Sequence, residues 1–380
     1  MVKSSVIITG GGTAGHVLPA LAVADALVDI GYAKEQIDFV GSRRGMEGKI
    51  IRDAGYKIHL LLGRGISRRV SIAYVSAALG LLLATIWSLA MMTRRRPGAV
   101  VSVGGYAAVP CSTAALILKI PVVIVNVDAA AGRANKMIAR HAMLSAVGFS
   151  ETQLPRAVLT GAPVREAIES VTRDEHERMR SRALLEIPDA TRCIAIVGGS
   201  LGAQRLNELG LALATALRAR EDIFIYHVVG ERNYQQMCEQ VSTAHLGSNY
   251  RCVGFTNAME ALLSASDLMV CRAGAMTVAE LAITGTPAIL FPLTNAPNDH
   301  QRKNALALSS RGGAIMLEDK ATTEAFVERV TELIDDRTTL AKMSASARTV
   351  GHRGAARVIA GLVDNVVRRK PLGQEYEQVG

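Results

Sequence analysis

Two stretches decide the fold: Ser5-Val-Ile-Ile-Thr-Gly10-Gly-Gly-Thr-Ala-Gly15-His16 and Arg192-Cys-Ile-Ala-Ile-Val-Gly198-Gly199-Ser200. Each is a short β-branched apolar run closing on consecutive glycines. Apolar runs of this length suit strands buried on both faces of a parallel sheet. The glycines allow a tight turn with positive φ, which brings backbone N–H groups toward a ligand. Helical patterns follow, over about Pro19–Ile30 in the first case and Ala203–Arg218 in the second. Strand, glycine turn and helix open a Rossmann-type unit, and the repetition predicts two.

Working outward, further strands are expected at Gln36–Gly41, Ala99–Gly105 and Pro121–Val125, with helices over Pro110–Leu118 and Gly132–His141. In the second half strands are expected at Ile223–Gly230, Tyr250–Val253, Asp267–Cys271 and Pro287–Pro292, with a helix over Met276–Thr284. Strands alternating with helices mark an α/β protein built on parallel sheets. The expected domains are residues 1–164 and 165–350. A segment 351–380 of its own then holds a last helix, about Gly354–Arg368, and a loose polar tail. Two such domains facing each other would leave a ligand cleft at the strands' carboxyl ends.

The 380 residues are 49% hydrophobic and 20% charged, which excludes disorder and fibrous classes. Aromatics are 4%, too few for a surface that stacks single-stranded nucleic acid, so no nucleic-acid partner is expected. Cys111, Cys193, Cys238, Cys252 and Cys271 are scattered and form no C-x-x-C pair, so a reducing compartment is expected. The amino-terminal apolar run is too short for a signal peptide, and a cytoplasmic location is expected.

Charge is uneven. Residues 1–165 carry 19 Lys and Arg against 8 Asp and Glu, a net +11; the remainder carries 24 against 26, a net −2. A basic half attracts phosphates or an anionic membrane. Within it lies Ser71–Met92, SIAYVSAALGLLLATIWSLAMM, flanked by Arg68-Arg69 and Arg94-Arg95-Arg96. A membrane span there would split the first Rossmann unit across the bilayer and is rejected. Two readings stay open: a buried helix with Ile72, Val75, Leu79, Leu82, Ile86 and Leu89 inward, or a helix lying on an anionic membrane surface with Trp87 and the arginines at the interface.

Gly10, Gly12 and Gly15 fit the G-x-G-x-x-G of a dinucleotide fold. The acidic residue expected after the second strand is replaced by Gly41-Ser-Arg43-Arg44, so only an NADP reading through the two arginines survives. No P-loop sequence, H-x-x-x-H or D-x-D occurs, and no metal or cofactor is expected.

The loops together resemble the MurG family, membrane-associated enzymes that transfer N-acetylglucosamine from its UDP-sugar to lipid I. The resemblance rests on Gly11-Gly-Thr-Ala-Gly-His16 with Pro19, Arg44-Gly-Met-Glu47, Gly104-Gly-Tyr106 with Pro110, and Thr160-Gly-Ala-Pro-Val-Arg165. In the second half it rests on Gly198-Gly-Ser-Leu-Gly-Ala203 with Asn207, Phe255 with Met259, Ser266 through Glu280, and Asp299-His-Gln301 with Asn304. It covers about residues 5–360. Ala14 stands where the family usually has Gly. Val125-Asn-Val-Asp128 replaces the family's His-Glu-Gln-Asn run, which precedes the Gly and Asn matched here by Gly132 and Asn135, so Asp128 takes the Asn place.

The resemblance implies a GT-B fold and an inverting, metal-independent transfer. It implies nucleotide-sugar contacts at Thr13, Ala14, Gly15, Arg165, Ser200, Thr256, Met259, Arg272, Ala275, Met276, Thr277, Glu280, His300 and Gln301. Glu280 would hold the ribose, and the helix start at Ala275–Thr277 the diphosphate. Acceptor phosphate would meet Gly12, Thr13, Gly15, Gly104, Gly105 and Tyr106. His16 or Asp128 would take the proton from the acceptor hydroxyl. Implied partners are UDP-N-acetylglucosamine, an undecaprenyl-pyrophosphate-linked muramoyl peptide and an anionic membrane, with the protein peripheral on its cytoplasmic side. A UDP-sugar epimerase or hydrolase, a paralogue with another lipid-linked acceptor, and a non-catalytic binder of lipid-linked precursor remain alternatives.

Overall fold

The chain divides into two units, residues 1–165 with 354–380, and residues 166–353. The computed structural model describes residues 4–43, 45, 47–61, 72–199 and 202–370. Ser200, Arg44, Met46, Ser71 and the pair Arg68-Arg69 lie outside the described residues.

The first unit is built on strands β1 (Val6–Gly10), β2 (Ile37–Ser42), β3 (Lys57–Leu61), β4 (Ala99–Gly104), β5 (Val122–Asn126), β6 (Leu144–Val147) and β7 (Ala157–Leu159). They form one parallel sheet ordered β3-β2-β1-β4-β5-β6-β7. Helices α1 (Ala14–Asp29), α2 (Glu47–Asp53), α3 (Ile72–Arg95), α4 (Ala108–Ile117) and α5 (Arg133–Ala139) make the crossovers. Ile7, Val100, Val122 and Ile124 are wholly buried in the core, consistent with apolar runs covered on both faces.

The second unit has strands β8 (Arg192–Val197), β9 (Ile223–Val228), β10 (Tyr250–Val253), β11 (Leu268–Arg272), β12 (Ala288–Phe291) and β13 (Ala314–Met316), ordered β10-β9-β8-β11-β12-β13 and all parallel. Its helices are α6 (Glu166–Glu169), α7 (Glu175–Leu185), α8 (Gln204–Ala216), α9 (Tyr234–Thr243), α10 (Met259–Ala265), α11 (Ala275–Thr284), α12 (His300–Ser309), α13 (Thr323–Asp335) and α14 (Arg337–Val350). Ile194, Leu213, Val270, Ile289 and Phe326 centre its core. The chain then returns to the first unit with α15 (Ala355–Val367), which packs on α1. Tyr32 beside α1 donates to Asp364 of α15 at 2.9 Å. The sequence reading treats this helix as part of a separate segment.

In both sheets the direction of strand addition reverses at the centre, between β1 and β4 and between β8 and β11. Loops leaving those neighbours diverge to opposite faces, and the crevice so formed is where doubly wound sheets bind ligands.

One local expectation is corrected, and the buried reading of α3 fails at Leu79, Leu82 and Ile86. α1 begins at Ala14, not Pro19: Thr13 is extended, and its carbonyl accepts from the N–H groups of His16 (3.1 Å) and Val17 (3.2 Å). Pro19 lies inside the helix, where its lack of an N–H removes the bond otherwise made to the Gly15 carbonyl. On α3, Leu79, Leu82, Leu83, Ile86 and Trp87 are all exposed, at 42–58%. The core-facing residues are instead Ala84, Ser88, Met91 and Met92, with Leu89 half-buried. Among the described residues no helix is long and apolar enough to cross a membrane.

Candidate active site

In the first unit the loops after β1 and β4 meet at the sheet's reversal point. Gly10, Gly11 and Gly12 all have positive φ, and Gly11 N–H donates to the Gly104 carbonyl at 3.3 Å. A Cβ on Gly105 would fall 2.4 Å from the Gly11 carbonyl oxygen, so only glycine permits this approach. Glu47, 2% exposed, clamps the same loop. Its Oε2 accepts from Gly12 N–H (3.1 Å) and its Oε1 from Ser42 N–H (2.6 Å). Gly12 is thus in the loop expected for acceptor phosphate, but its N–H is already engaged.

Beyond the glycines, Thr13 and Gly15 are exposed at the start of α1, and Thr13 caps the helix without a side-chain bond. The Thr13 hydroxyl lies 3.2 Å from His16 Nδ1, which orients the imidazole in the helix's first turn. The place a Gly104 Cβ would occupy is 3.4 Å from His16 Nε2 and also 3.4 Å from Asn135 Oδ1. Asn135, 5% exposed, donates to Asn126 Oδ1 (3.0 Å), and Asn126 donates to the Asp128 carbonyl (2.6 Å). The Thr152 hydroxyl also reaches that carbonyl at 3.2 Å. Asn135, Asn126, Thr152 and the backbone carbonyl of Asp128 therefore form one polar network, and His16 and Asn135 both border Gly104. Asn135 Oδ1 and the Tyr106 hydroxyl are buried and make no hydrogen bond among the described residues. Burial raises the Tyr106 phenol's pKa, keeping it neutral. Arg165 is the last residue of this unit before the chain crosses over.

In the second unit α11 starts directly after β11. Gly274 caps it with no side-chain acceptor, and Ala275 and Met276 are buried while Thr277 and Glu280 are half-exposed. The first N–H groups of such a helix await an external acceptor and carry the positive end of its dipole. Arg272, at the end of β11, donates to Asp319 Oδ1 at 2.6 Å and to the Phe291 carbonyl at 3.3 Å. Its guanidinium is thereby fixed across the ends of β11 and β12. Gln301 Oε1 accepts from Leu293 N–H (3.0 Å), and wholly buried Asn304 donates to the Ala273 carbonyl (3.2 Å). These bonds knit the loops after β11, β12 and β13 into one surface around the α11 start. His300 opens α12, and the residues before it, Asn298 and Asp299, are left-handed.

Phe255, Thr256 and Met259 follow β10 at the sheet edge. Phe255 is 51% exposed, and the Thr256 hydroxyl accepts from Ala258 N–H at 3.1 Å. On the other side of β9, Gly202 donates to the Gly199 carbonyl (2.9 Å), and both have positive φ. Among the described residues no group of three or more His, Cys, Asp or Glu stands together as a metal site.

Three contributors were given no role by sequence reasoning: Glu47, Asn135 and Asp319. Glu47 was visible as the end of the Arg44-Gly-Met-Glu47 motif. Asn135 was visible only through the resemblance, and Asp319 carried no signal.

Models of the glycosyltransferase family 28 N-terminal and C-terminal domains match residues 6–145 and 193–359. A protein of Mycolicibacterium vanbaalenii named UDP-N-acetylglucosamine–N-acetylmuramyl-(pentapeptide) pyrophosphoryl-undecaprenol N-acetylglucosamine transferase is 37% identical, with 96% of this chain and 90% of that protein covered. One of the same name from Desulforudis audaxviator is 34% identical over 95% of this chain and 98% of its own. The crystal structure of Acinetobacter baumannii MurG matches with a TM-score of 0.76 and 31% identity, over 95% and 99% of the two chains. A UDP-N-acetylglucosamine 2-epimerase structure matches with a TM-score of 0.63 at 14% identity, which is a likeness of fold alone. The chain is a member of the MurG family of glycosyltransferases, with the family 28 N- and C-terminal domains joined in one GT-B polypeptide.

Proposed function

We propose that the protein transfers N-acetylglucosamine from UDP-N-acetylglucosamine to the muramoyl-pentapeptide of undecaprenyl-pyrophosphate lipid I, forming lipid II for peptidoglycan synthesis. The observation that carries this reading is identity of 37% over nearly the whole chain to a transferase named for that reaction. The first unit takes the acceptor and the membrane; the second takes the donor. In the second, Glu280 binds the ribose, the Phe255–Thr256 edge reads uracil above Met259, and His300 and Gln301 face the sugar. The diphosphate lies at the α11 start beside Arg272, where helix N–H groups and the guanidinium stabilise departing UDP without a metal ion.

In the first unit the acceptor pyrophosphate meets the exposed N–H groups at Thr13 and Gly15 and the loop at Gly104–Tyr106. The acceptor hydroxyl attacks the anomeric carbon from the face opposite UDP, so that the new C–O bond forms as the C–O bond to the diphosphate breaks. His16 or Asp128 accepts the hydroxyl proton. The protein works at the cytoplasmic face of the membrane, held there by the apolar face of α3 and by Arg94 and Arg96, which are exposed near its end.

The test is incubation with labelled UDP-N-acetylglucosamine and EDTA, with and without a lipid I analogue. Acceptor-dependent transfer is expected. Hydrolysis alone, epimerisation or a strict metal requirement refutes the reading. With donor saturating, His16→Ala and Asp128→Ala are each expected to lower turnover at least roughly tenfold, about 1.4 kcal/mol of barrier, with UDP affinity unchanged. A fully active Asp128→Ala removes Asp128 as the base. Glu280→Ala is expected to weaken UDP by about 1–3 kcal/mol through loss of a buried hydrogen bond; unchanged affinity removes Glu280 from the site.

A further inference from the structure

The second unit holds a cavity of about 980 Å³, and none of the site residues assigned above lines it. Its wall includes Arg192 at the start of β8, Asp222 just before β9, Asp267 just before β11 and Pro287 just before β12. These are amino-terminal strand ends, whereas Arg272 and the α11 start stand at the carboxyl end of β11. β8 and β11 are parallel and run six and five residues, so roughly 17–20 Å separates the two ends. Residues of α7 and α14 complete the wall.

Six arginines line the cavity: Arg173, Arg178, Arg182, Arg192, Arg337 and Arg348. The carboxylates there are four, Glu175, Asp189, Asp222 and Asp267. The excess is positive, within residues 166–380 that carry 24 Lys and Arg against 26 Asp and Glu. Asp267 accepts from Arg178 (2.6 Å) and Arg182 (2.9 Å), and Asp222 pairs with Arg192. The other three arginines meet no carboxylate among the described residues. Arg173 donates to neutral oxygens alone, the carbonyls of Leu263 and Ser266 and the Thr286 hydroxyl. Arg348 donates to the Thr172 carbonyl at 3.2 Å. Arg337, exposed at the start of α14, makes no hydrogen bond or ion pair among the described residues. Glu175 and Asp189 are also exposed, and neither pairs with an arginine.

Like charges are crowded here. Burial first, then the Arg178 charge, hold the Arg173 guanidinium down to about 9, and the Arg348 charge acts in the same sense. An anion in the cavity would relieve that repulsion.

We propose that this cavity binds a soluble phosphate-bearing anion of the size of a nucleoside or sugar polyphosphate, with Arg337 and Arg348 as its direct contacts and the Arg173 charge adding to the field. Phosphate fits better than a carboxylate. A planar guanidinium takes two phosphate oxygens at once, and several cations are answered by several negative charges on one ligand. The volume is that of a small-molecule site and far exceeds one phosphate. Met179, 53% exposed, and Pro287 offer an apolar wall to the rest of the ligand.

The probe is inorganic triphosphate, titrated calorimetrically into the full chain with EDTA present. Triphosphate also resembles the diphosphate assigned to the α11 start, so the quantity read is the binding that changes with Arg337 and Arg348. Expected is a saturable component that Arg337→Ala and Arg348→Ala each weaken at least roughly fivefold, through loss of a charge-assisted hydrogen bond. Arg337 is exposed, so Arg337→Ala leaves the core intact and decides the matter should Arg348→Ala not fold. No saturable binding at millimolar probe, or identical binding by wild type and Arg337→Ala, overturns the proposal. Phosphatidylglycerol vesicles form a second arm, because a lipid headgroup carries the same phosphate. Vesicle binding weakened by Arg337→Ala, with no binding of triphosphate, assigns the arginines to lipid and overturns the soluble ligand. UDP titration of the wild type tests the donor reading separately, since that site lies at the other end of the strands.

Discussion

Glu47→Gln tests whether one buried carboxylate holds the first unit's glycine loop in shape. The wild-type carboxylate accepts from Gly12 N–H at 3.1 Å and from Ser42 N–H at 2.6 Å while 2% exposed. Glutamine keeps the length but offers one acceptor oxygen; its NH2 must face the other backbone donor. One charge-assisted bond is lost and one buried N–H left unsatisfied, a cost of about 1.5–3 kcal/mol. For a unit of about 150–250 residues that is a fall in melting temperature of roughly 3–12 °C. The loop should also lose its fixed form, so kcat/KM for the lipid acceptor falls while UDP affinity, assigned under the proposed function to the other unit, does not. Calorimetry, acceptor kinetics and UDP titration on one preparation separate these effects. An unchanged melting temperature with unchanged acceptor kinetics refutes the clamp, and a matching loss of UDP affinity refutes the division of labour.

Asp319→Ala removes the partner that aims Arg272, and kcat/KM for UDP-N-acetylglucosamine should fall roughly 5- to 30-fold, about 1–2 kcal/mol. An improved value would show that Asp319 competes with the diphosphate. Burial holds the His227 imidazole down to about 3. The unfolded chain therefore takes up a proton below about pH 6.5 that the folded chain refuses until about pH 3. The site's stabilisation is complete above the unfolded pKa and is lost as pH falls, by about 1.4 kcal/mol at pH 5.5. Urea midpoints at two pH values should show this in wild type and not in His227→Gln; equal shifts in both refute it. Binding to anionic vesicles should weaken as salt rises. Leu82→Glu or Ile86→Glu should reduce it roughly tenfold, since a buried aliphatic side chain is worth about 1.5–3 kcal/mol. Folded variants that bind as wild type would show that α3 does not meet lipid.

The sequence was most legible where a strand is buried on both faces. β8, buried from Cys193 to Val197, falls at its expected residues, because an apolar run bounded by turns leaves little freedom; β10 does so too, although it is a half-buried edge strand. β3 gave no such signal: it carries Lys57 and His59 and is partly exposed. β7 and β13 are three residues each, too short for any period. Proline's preference for a helix start misplaced α1, because the bonds to the Thr13 carbonyl began the helix five residues sooner. Periodicity left open whether Leu79, Leu82 and Ile86 face the core or a membrane surface, because an almost uniformly apolar helix has no period to read; packing chose the face with Ala84 and Ser88. In the candidate site the glycine turns announced themselves. The carboxylates that brace them did not, because Glu47 and Asp319 act across sequence distances of 35 and 47 residues, which no local pattern records.

The return of α15 to the first unit makes that unit discontinuous in the chain, and this bears on synthesis. Residues 166–353 emerge as one uninterrupted segment and hold everything their own core needs. The first unit cannot close over α1 until the last helix supplies Ile359, Leu362, Val363 and Val366, all buried. The amino-terminal half, although made first, is thus completed only once α15 has emerged from the ribosome. A chain stalled near residue 353 would carry a finished second unit and an unfinished first one with its apolar flank bare. Such a chain is a candidate for aggregation or degradation, not for partial activity.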